Sequence, residues 1–184
     1  MKKDEKTCFI SVDIEASGAF PPTFSMLSLG ACLVDDDSVT FKRFFKPISS
    51  EASPEAMKVS RLSLQELSKT GKPPEVAMRE FGAWVAVQAG TRTPVFVGLN
   101  AAFDWTFVNY YFLTFVGSNP FGFAPLDVKA FYAGATGLPW LEARSSKMSE
   151  RLGATKKATH DALDDAIAQA ELFRLTRDVA LKKS

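Results

Sequence analysis

One histidine and two cysteines stand in 184 residues, and that scarcity removes much metal chemistry at once. A lone His160 cannot supply the paired histidines of an HExxH zinc site. Cys8 and Cys32 are too far apart for a CxxC motif, and their apolar neighbours suit reduced, buried thiols. An excess of one charge is also missing, with 22 Lys+Arg against 21 Asp+Glu and a formal net charge of +1. A basic field spread over the whole surface is therefore excluded, so a nucleic-acid partner has to be recognised at a local site. No run approaches the roughly 20 apolar residues of a membrane span. The apolar stretch behind Met1-Lys2-Lys3 is broken by Asp13 and Glu15, unlike a signal peptide. The glycine-rich phosphate loop, the dinucleotide fingerprint and the nucleophile elbow are all absent. The expectation is a cytoplasmic protein of a reducing compartment, with no membrane partner.

What is present suits one globular domain spanning 1–184, with 1–6 and 180–184 expected to fray. The chain is 46% hydrophobic and 23% charged, with sixteen Phe, which is enough for a sizeable aromatic core. Residues 9–15, 27–34 and 39–45 read as strands, the last two joined by Asp35-Asp36-Asp37-Ser38 as a hairpin connection. Residues 53–72 read as a short helix and a loop. A helix over 75–88 carries Val76, Ala77, Phe81, Trp84 and Val85 on one stripe. Residues 95–99 form a buried strand without alternation, as a central parallel strand would. Helices follow over 104–116, 127–135, 146–152 and 161–179, the last with Leu163, Ile167, Ala170 and Phe173 at helical spacing. Three strands followed by strands and helices in alternation give an α/β domain with a mixed sheet.

Several carboxylates stand where a carboxylate is costly. Asp13 and Glu15 lie two apart inside an apolar strand, so both side chains leave on one face. Asp35 and Asp37 share the spacing but sit in a turn that favours Asp for its own sake. Asp104 follows a buried strand at the entry to an apolar helix, where a helix-capping role competes with a chemical one. In His160-Asp161-Ala162-Leu163-Asp164-Asp165, Asp161 suits the N-cap, His160 falls in the loop, Asp165 lies one turn inside and Asp164 turns to solvent. Ligands of α/β sheets bind beyond the carboxyl ends of the strands, where Asp13, Glu15 and Asp104 belong and where the last helix can deliver Asp165 and His160. Ionised carboxylates about 4 Å apart repel by about 4 kcal/mol per pair at an effective dielectric near 20. Divalent cations relieve that repulsion, and all-oxygen ligation suits Mg²⁺ or Mn²⁺ rather than zinc. A pair of such ions about 3.5–4 Å apart is a known clamp for displacement at phosphorus.

Taken together, these segments resemble the DEDDh 3′–5′ exonucleases, the ribonuclease H-like family of proofreading subunits, ribonuclease T and oligoribonuclease. Motif one is Val12-Asp13-Ile14-Glu15-Ala16-Ser17-Gly18, motif two is Gly98-Leu99-Asn100-Ala101-Ala102-Phe103-Asp104, and motif three runs from His160 to Asp165. Each is weak alone, but three in order over nearly the whole chain are specific. The resemblance implies a five-stranded mixed sheet with an antiparallel second strand and helices on both faces. It implies that Asp13, Glu15, Asp104 and Asp165 hold two Mg²⁺ or Mn²⁺ ions, Asp13 bridging them. His160 would be the general base, a task suited to an ordinary imidazole pKa of about 6.5. Backbone at Ala16 and Ser17 would hold the 3′-terminal nucleotide, Phe103 would lie near its sugar or base, and Asn100, by position a turn residue, joins the substrate-binding candidates. Ala16-Ser17 and Leu99 depart from the two Thr and the His common in the family, which leaves substrate choice open.

The implied reaction is hydrolysis at the 3′ end of single-stranded DNA or RNA, releasing nucleoside 5′-monophosphates. Two rivals stand beside it: a non-catalytic nucleic-acid-binding or scaffold relative, and an endonuclease of the same superfamily. Lys156 and Lys157 suit either a phosphate or a solvated loop. The aromatic run over 105–115 suits the core, with a homodimer contact or substrate bases as other uses.

Overall fold

The computed structural model describes residues 6–182, and one strand is the axis on which the rest is built. β1 (Thr7–Ala16) is central in a five-stranded sheet of order β3-β2-β1-β4-β5. β2 (Met26–Leu33) runs antiparallel to β1, β3 (Thr40–Phe44) antiparallel to β2, and β4 (Thr93–Gly98) and β5 (Leu126–Asp127) continue parallel on the other side. This is the expected mixed sheet with an antiparallel second strand.

Alternation along β1 separates two cores. Cys8, Ile10, Val12, Ile14 and Ala16 face a cluster with Phe81 and Val85 of α3 (Pro74–Ala89) and Phe107, Tyr111 and Phe112 of α4 (Ala102–Phe115). On the opposite face, Val97, Val128, Tyr132, Met148, Leu172 and Phe173 join α5 (Val128–Thr136), α6 (Ser145–Leu152) and α7 (Ala162–Lys182). Ser11 marks that second face, its hydroxyl donating to the Ala166 carbonyl of α7 at 2.7 Å. Asp13 and Glu15, two and four residues on, share the Ser11 face. Both cysteines are free and buried, and burial pushes the Cys32 thiol up to about 12.

Several elements differ from the sequence expectation for physical reasons. Residues 53–72 hold two helices, α1 (Pro54–Ser60) and α2 (Leu64–Thr70). Each opens on a serine that caps it: Ser53 accepts from Ala56 N–H at 3.1 Å and Ser63 from Glu66 N–H at 3.3 Å. In α3 the buried stripe is Ala77, Met78, Phe81, Val85 and Ala89, so Val76 is left exposed. In α7 the stripe is rotated towards Ala162, Ala166, Gln169, Ala170 and Phe173, while Leu163 and Ile167 are only half-buried.

The rotation of α7 has a visible cause in β2. Gly30 pairs with Asp13 across the β1–β2 ladder, and a Cβ built there would stand 2.2 Å from Leu163 N and 2.3 Å from the Ala162 carbonyl carbon. The first turn of α7 therefore rests directly on the sheet backbone, with the small Ala162 and Ala166 on that part of the helix face.

Of the ends expected to fray, residues 1–5 and 183–184 lie outside the described residues. The Lys6 carbonyl accepts from Thr93 N–H at 2.8 Å, and α7 continues to Lys182. The aromatic run of α4 is spent largely on the core, with Phe107, Val108, Tyr111 and Phe112 fully buried and Leu113 exposed. No described helix is long and apolar enough to cross a membrane.

Candidate active site

β1 outruns its parallel neighbour. Its pairing with β4 ends at Ser11↔Val97, so the strand beyond that point has an open edge. The first turn of α4 closes it: Asp104 is buried, and its Oδ1 accepts the Ile14 N–H at 3.1 Å, between Asp13 and Glu15 in sequence. The turn that brings Asp104 there passes through Asn100, whose φ of 57° lies in the left-handed region that Asn tolerates better than most residues. Asp127, which the sequence did not single out, fixes that turn from below. It caps α5 through Ala130 N–H at 2.7 Å and accepts from Ala101 N–H at 2.6 Å.

The third group arrives on α7. Asp161 caps the helix by accepting from Leu163 N–H at 3.0 Å, and it is ion-paired with Lys42 of β3. Asp165 is half-buried and accepts from Thr159 N–H at 2.7 Å, whereas Asp164 is exposed and takes the Thr159 hydroxyl at 2.9 Å. Between these anchors His160 is exposed, with φ of 63°. Such conformations persist only where their surroundings enforce them, and they gather at functional sites. Glu15, His160 and Asp165 each present a potential ligand atom within 4.8 Å of the other two.

The electrostatics of this corner are unrelieved. Burial lifts Asp13 well above the usual carboxylate range, with Asp104, Asp165 and Glu15 adding to the effect. Glu15 is raised to about 7 by burial and by Asp165 and Asp161. Asp104 is raised to about 7 by burial, although its bond from Ile14 N–H opposes the shift. Asp165 is raised too, by burial, with Thr159 and His160 acting against it. Among the described residues no Lys or Arg forms an ion pair with any of the four. Carboxylate oxygens held together against their own repulsion are the donor set that hard divalent cations need, so these residues fit Mg²⁺ or Mn²⁺.

Asp13 and Asp165 open onto a cleft of about 450 Å³, lined also by Leu99, Gln169, Ser145 and Lys157. Lys156 reaches the cleft but is ion-paired with Asp37 at 2.7 Å, and Lys157 is exposed. Of the substrate-binding candidates, Phe103 is 43% exposed beside Asp104, edge-on to Phe107. Asn100 is exposed and serves the turn, its carbonyl accepting from Phe103 N–H at 3.2 Å. Ala16 is buried in the β1–β2 pairing.

Ser17 is tied into the fold. Its N–H donates to the Ser25 carbonyl and its carbonyl accepts from Ser53 N–H, both at 2.8 Å. Its hydroxyl accepts from Ser25 N–H at 2.9 Å and donates to the Glu51 carbonyl at 2.8 Å. With every polar group engaged inside the protein, Ser17 splices the end of β1 to the segment before α1 and has no donor left for a nucleotide.

Comparison with known proteins follows the same lines. An exonuclease family model, RNase_T, matches residues 10–173. The chain belongs to this exonuclease family. It is 45% identical over 182 residues to the 3′-5′ DNA exonuclease Cap18 of Escherichia coli, covering 98% of this chain and 97% of that one. Among solved structures, the nuclease domain of 3′hExo, a DEDDh family member bound to rAMP, superposes with a TM-score of 0.76 at 14% identity, covering 96% of this chain and 94% of the other. E. coli Exonuclease I in complex with a dT13 oligonucleotide gives a TM-score of 0.69 at 17% identity, covering 97% of this chain and 41% of that one. These structural likenesses show the ribonuclease H-like fold. The protein is a DEDDh-type 3′–5′ exonuclease, a hydrolase of a family that works with divalent metal, and the non-catalytic reading falls away.

Proposed function

We propose that this exonuclease shortens single-stranded DNA from its 3′ end, releasing nucleoside 5′-monophosphates, with Asp13, Glu15, Asp104 and Asp165 holding two Mg²⁺ or Mn²⁺ ions. The observation that carries the reading is the meeting of four carboxylates from three elements, with raised proton affinity and, among the described residues, no Lys or Arg ion-paired with them. Bound there, the ions would supply charge neutralisation at the scissile phosphate and a more acidic attacking water.

The chain's own residues have distinct tasks. Asp104 and Asp165 are oriented by backbone N–H groups. His160, exposed and with a ring nitrogen within 4.8 Å of carboxylate oxygens of Glu15 and Asp165, takes the proton of the attacking water. The water oxygen would join phosphorus as the phosphorus–O3′ bond to the penultimate nucleotide breaks, O3′ taking a proton from solvent, so that the shortened strand ends in a 3′-hydroxyl and the released nucleotide keeps the phosphate. Phe103 offers an exposed ring to the terminal sugar or base. DNA is preferred over RNA as the substrate because the relative at 45% identity is named a DNA exonuclease.

The test is degradation of matched DNA and RNA oligonucleotides, free or blocked at the 3′ end, with Mg²⁺, with Mn²⁺ and with EDTA. Loss of free-ended DNA as 5′-monophosphates, abolished by EDTA and by the 3′ block, is expected. Internal cleavage of blocked strands would overturn the exonucleolytic assignment, and faster RNA turnover would overturn the preference for DNA.

A further inference from the structure

Gln169 lies on α7 one turn beyond Asp165, and residues four apart leave a helix on the same side. It is 6% exposed, and both ends of its amide are engaged. Oε1 accepts the Leu99 N–H at 2.9 Å, and Nε2 donates to Asp13 Oδ1. A backbone N–H can only donate, so the Leu99 contact fixes which end of the amide faces Asp13. Asp13 therefore meets an NH₂ group and not a carbonyl oxygen.

That single amide touches all three motifs. It rides on the helix of the third, is oriented by the backbone of the second, and holds the carboxylate of the first. Asp104 and Asp165 are oriented differently, by the backbone N–H groups of Ile14 and Thr159. Asp13 depends on a side chain, the Gln169 amide.

We infer that Gln169 is a positioning residue of the exonuclease, one that sets the orientation of the Asp13 carboxylate for metal binding. The inference rests on the reading of Asp13 as a metal ligand. Groups bonded to metal-ligating side chains commonly change metal affinity or activity by about 10–100-fold when removed.

The test is Gln169→Met, which keeps length and apolar stem but has no donor for Asp13. Calorimetric titration with Mn²⁺ should show affinity weakened by about 10–100-fold, with the rate loss at limiting metal recovered at high metal and KM for the oligonucleotide unmoved. A folded variant with the parent's Mn²⁺ affinity overturns the inference. A second measurement needs no variant: the Gln169 side-chain amide resonances of the parent should shift as Mg²⁺ is added, and resonances that stay in place overturn it. Failure of the underlying reading looks different, because the parent itself would then bind no Mn²⁺ and the inference would fall with it.

Discussion

Asp37 and Asp13 are both aspartates against α7, and they have opposite surroundings. Asp37 receives Lys156 and Arg174, each at 2.7 Å, and the Lys156 hydrogen bond leads the effects that hold its pKa below the ordinary value. The same holds on the other side of the sheet, where Glu80 is paired with Arg43 and Lys72 and its pKa is lowered. Asp13 meets three carboxylates and an amide, and its pKa is raised. The fold pairs Asp37 and Glu80 with basic side chains, while among the described residues the four carboxylates of one corner have no ion pair with Lys or Arg. The difference separates acids held in ion pairs from acids crowded against one another.

The largest effect that would sharpen this contrast comes from Asp13→Ala. Turnover should fall by about a hundredfold to a thousandfold or more, since several kcal/mol of charge stabilisation depend on the metal set. Without metal, the variant should melt higher than the parent, because a repelling carboxylate is gone. A metal-free melting temperature below the parent's would show that Asp13 is a structural acid like Asp37. His160→Ala should follow, with a rate loss of about 10²–10⁴-fold as expected for a general base. Its Mn²⁺ titration should match the parent's, and an unchanged pH–rate profile would remove His160 from that role.

Proton linkage gives a third, intermediate effect. Glu15 and Asp104 are raised to about 7 in the folded chain, while unfolded carboxyls titrate near 4. Between these values the native state holds more protons than the unfolded state, so stability falls as pH rises from about 4 to about 7. Metal-free protein should therefore melt lower at pH 8 than at pH 5, and added Mg²⁺ should narrow the gap by favouring the ionised form. Thermal melts at both pH values, with EDTA or Mg²⁺, measure this directly. A metal-free melting temperature that rises with pH would contradict the picture of an uncompensated cluster. The smallest effect belongs to Asp37→Ala, with partly exposed pairs worth about 1 kcal/mol and a fall of about 2–4 °C in melting temperature. Turnover should stay near the parent's, as oligonucleotide assays beside the melts would show.

The sequence exposed its charged corner more readily than its packing. Asp13 and Glu15 stood out because carboxylates inside an apolar strand conflict with burial, and the structure puts them on the face that α7 covers. The five-stranded mixed sheet with its antiparallel second strand came through resemblance; strand patterning alone could not have disclosed β5, which is two residues long. The internal bonding of Ser17 was not legible, because its partners, Ser25, Glu51 and Ser53, come from a loop and a helix cap whose approach no local pattern records. Gln169 had a faint signal, a polar residue four beyond Asp165 in an Ala-rich stretch, but its meaning depends on Leu99 and Asp13 arriving from two other strands. The stripe on α7 was misplaced for a related reason. Size, not hydrophobicity, chooses the inner face where a helix lies on glycine.

Gly30 carries that last point further. Where Ala162 and Leu163 meet it, main chain touches main chain, and main chain has no rotamers through which a misfit could dissipate. A single added methyl group would lever the start of the helix away, taking His160 and Asp165 with it while Asp13 stayed with its strand. The spacing of the acids is thus set by the thickness of two backbones, a ruler that thermal motion and side-chain repacking cannot easily stretch.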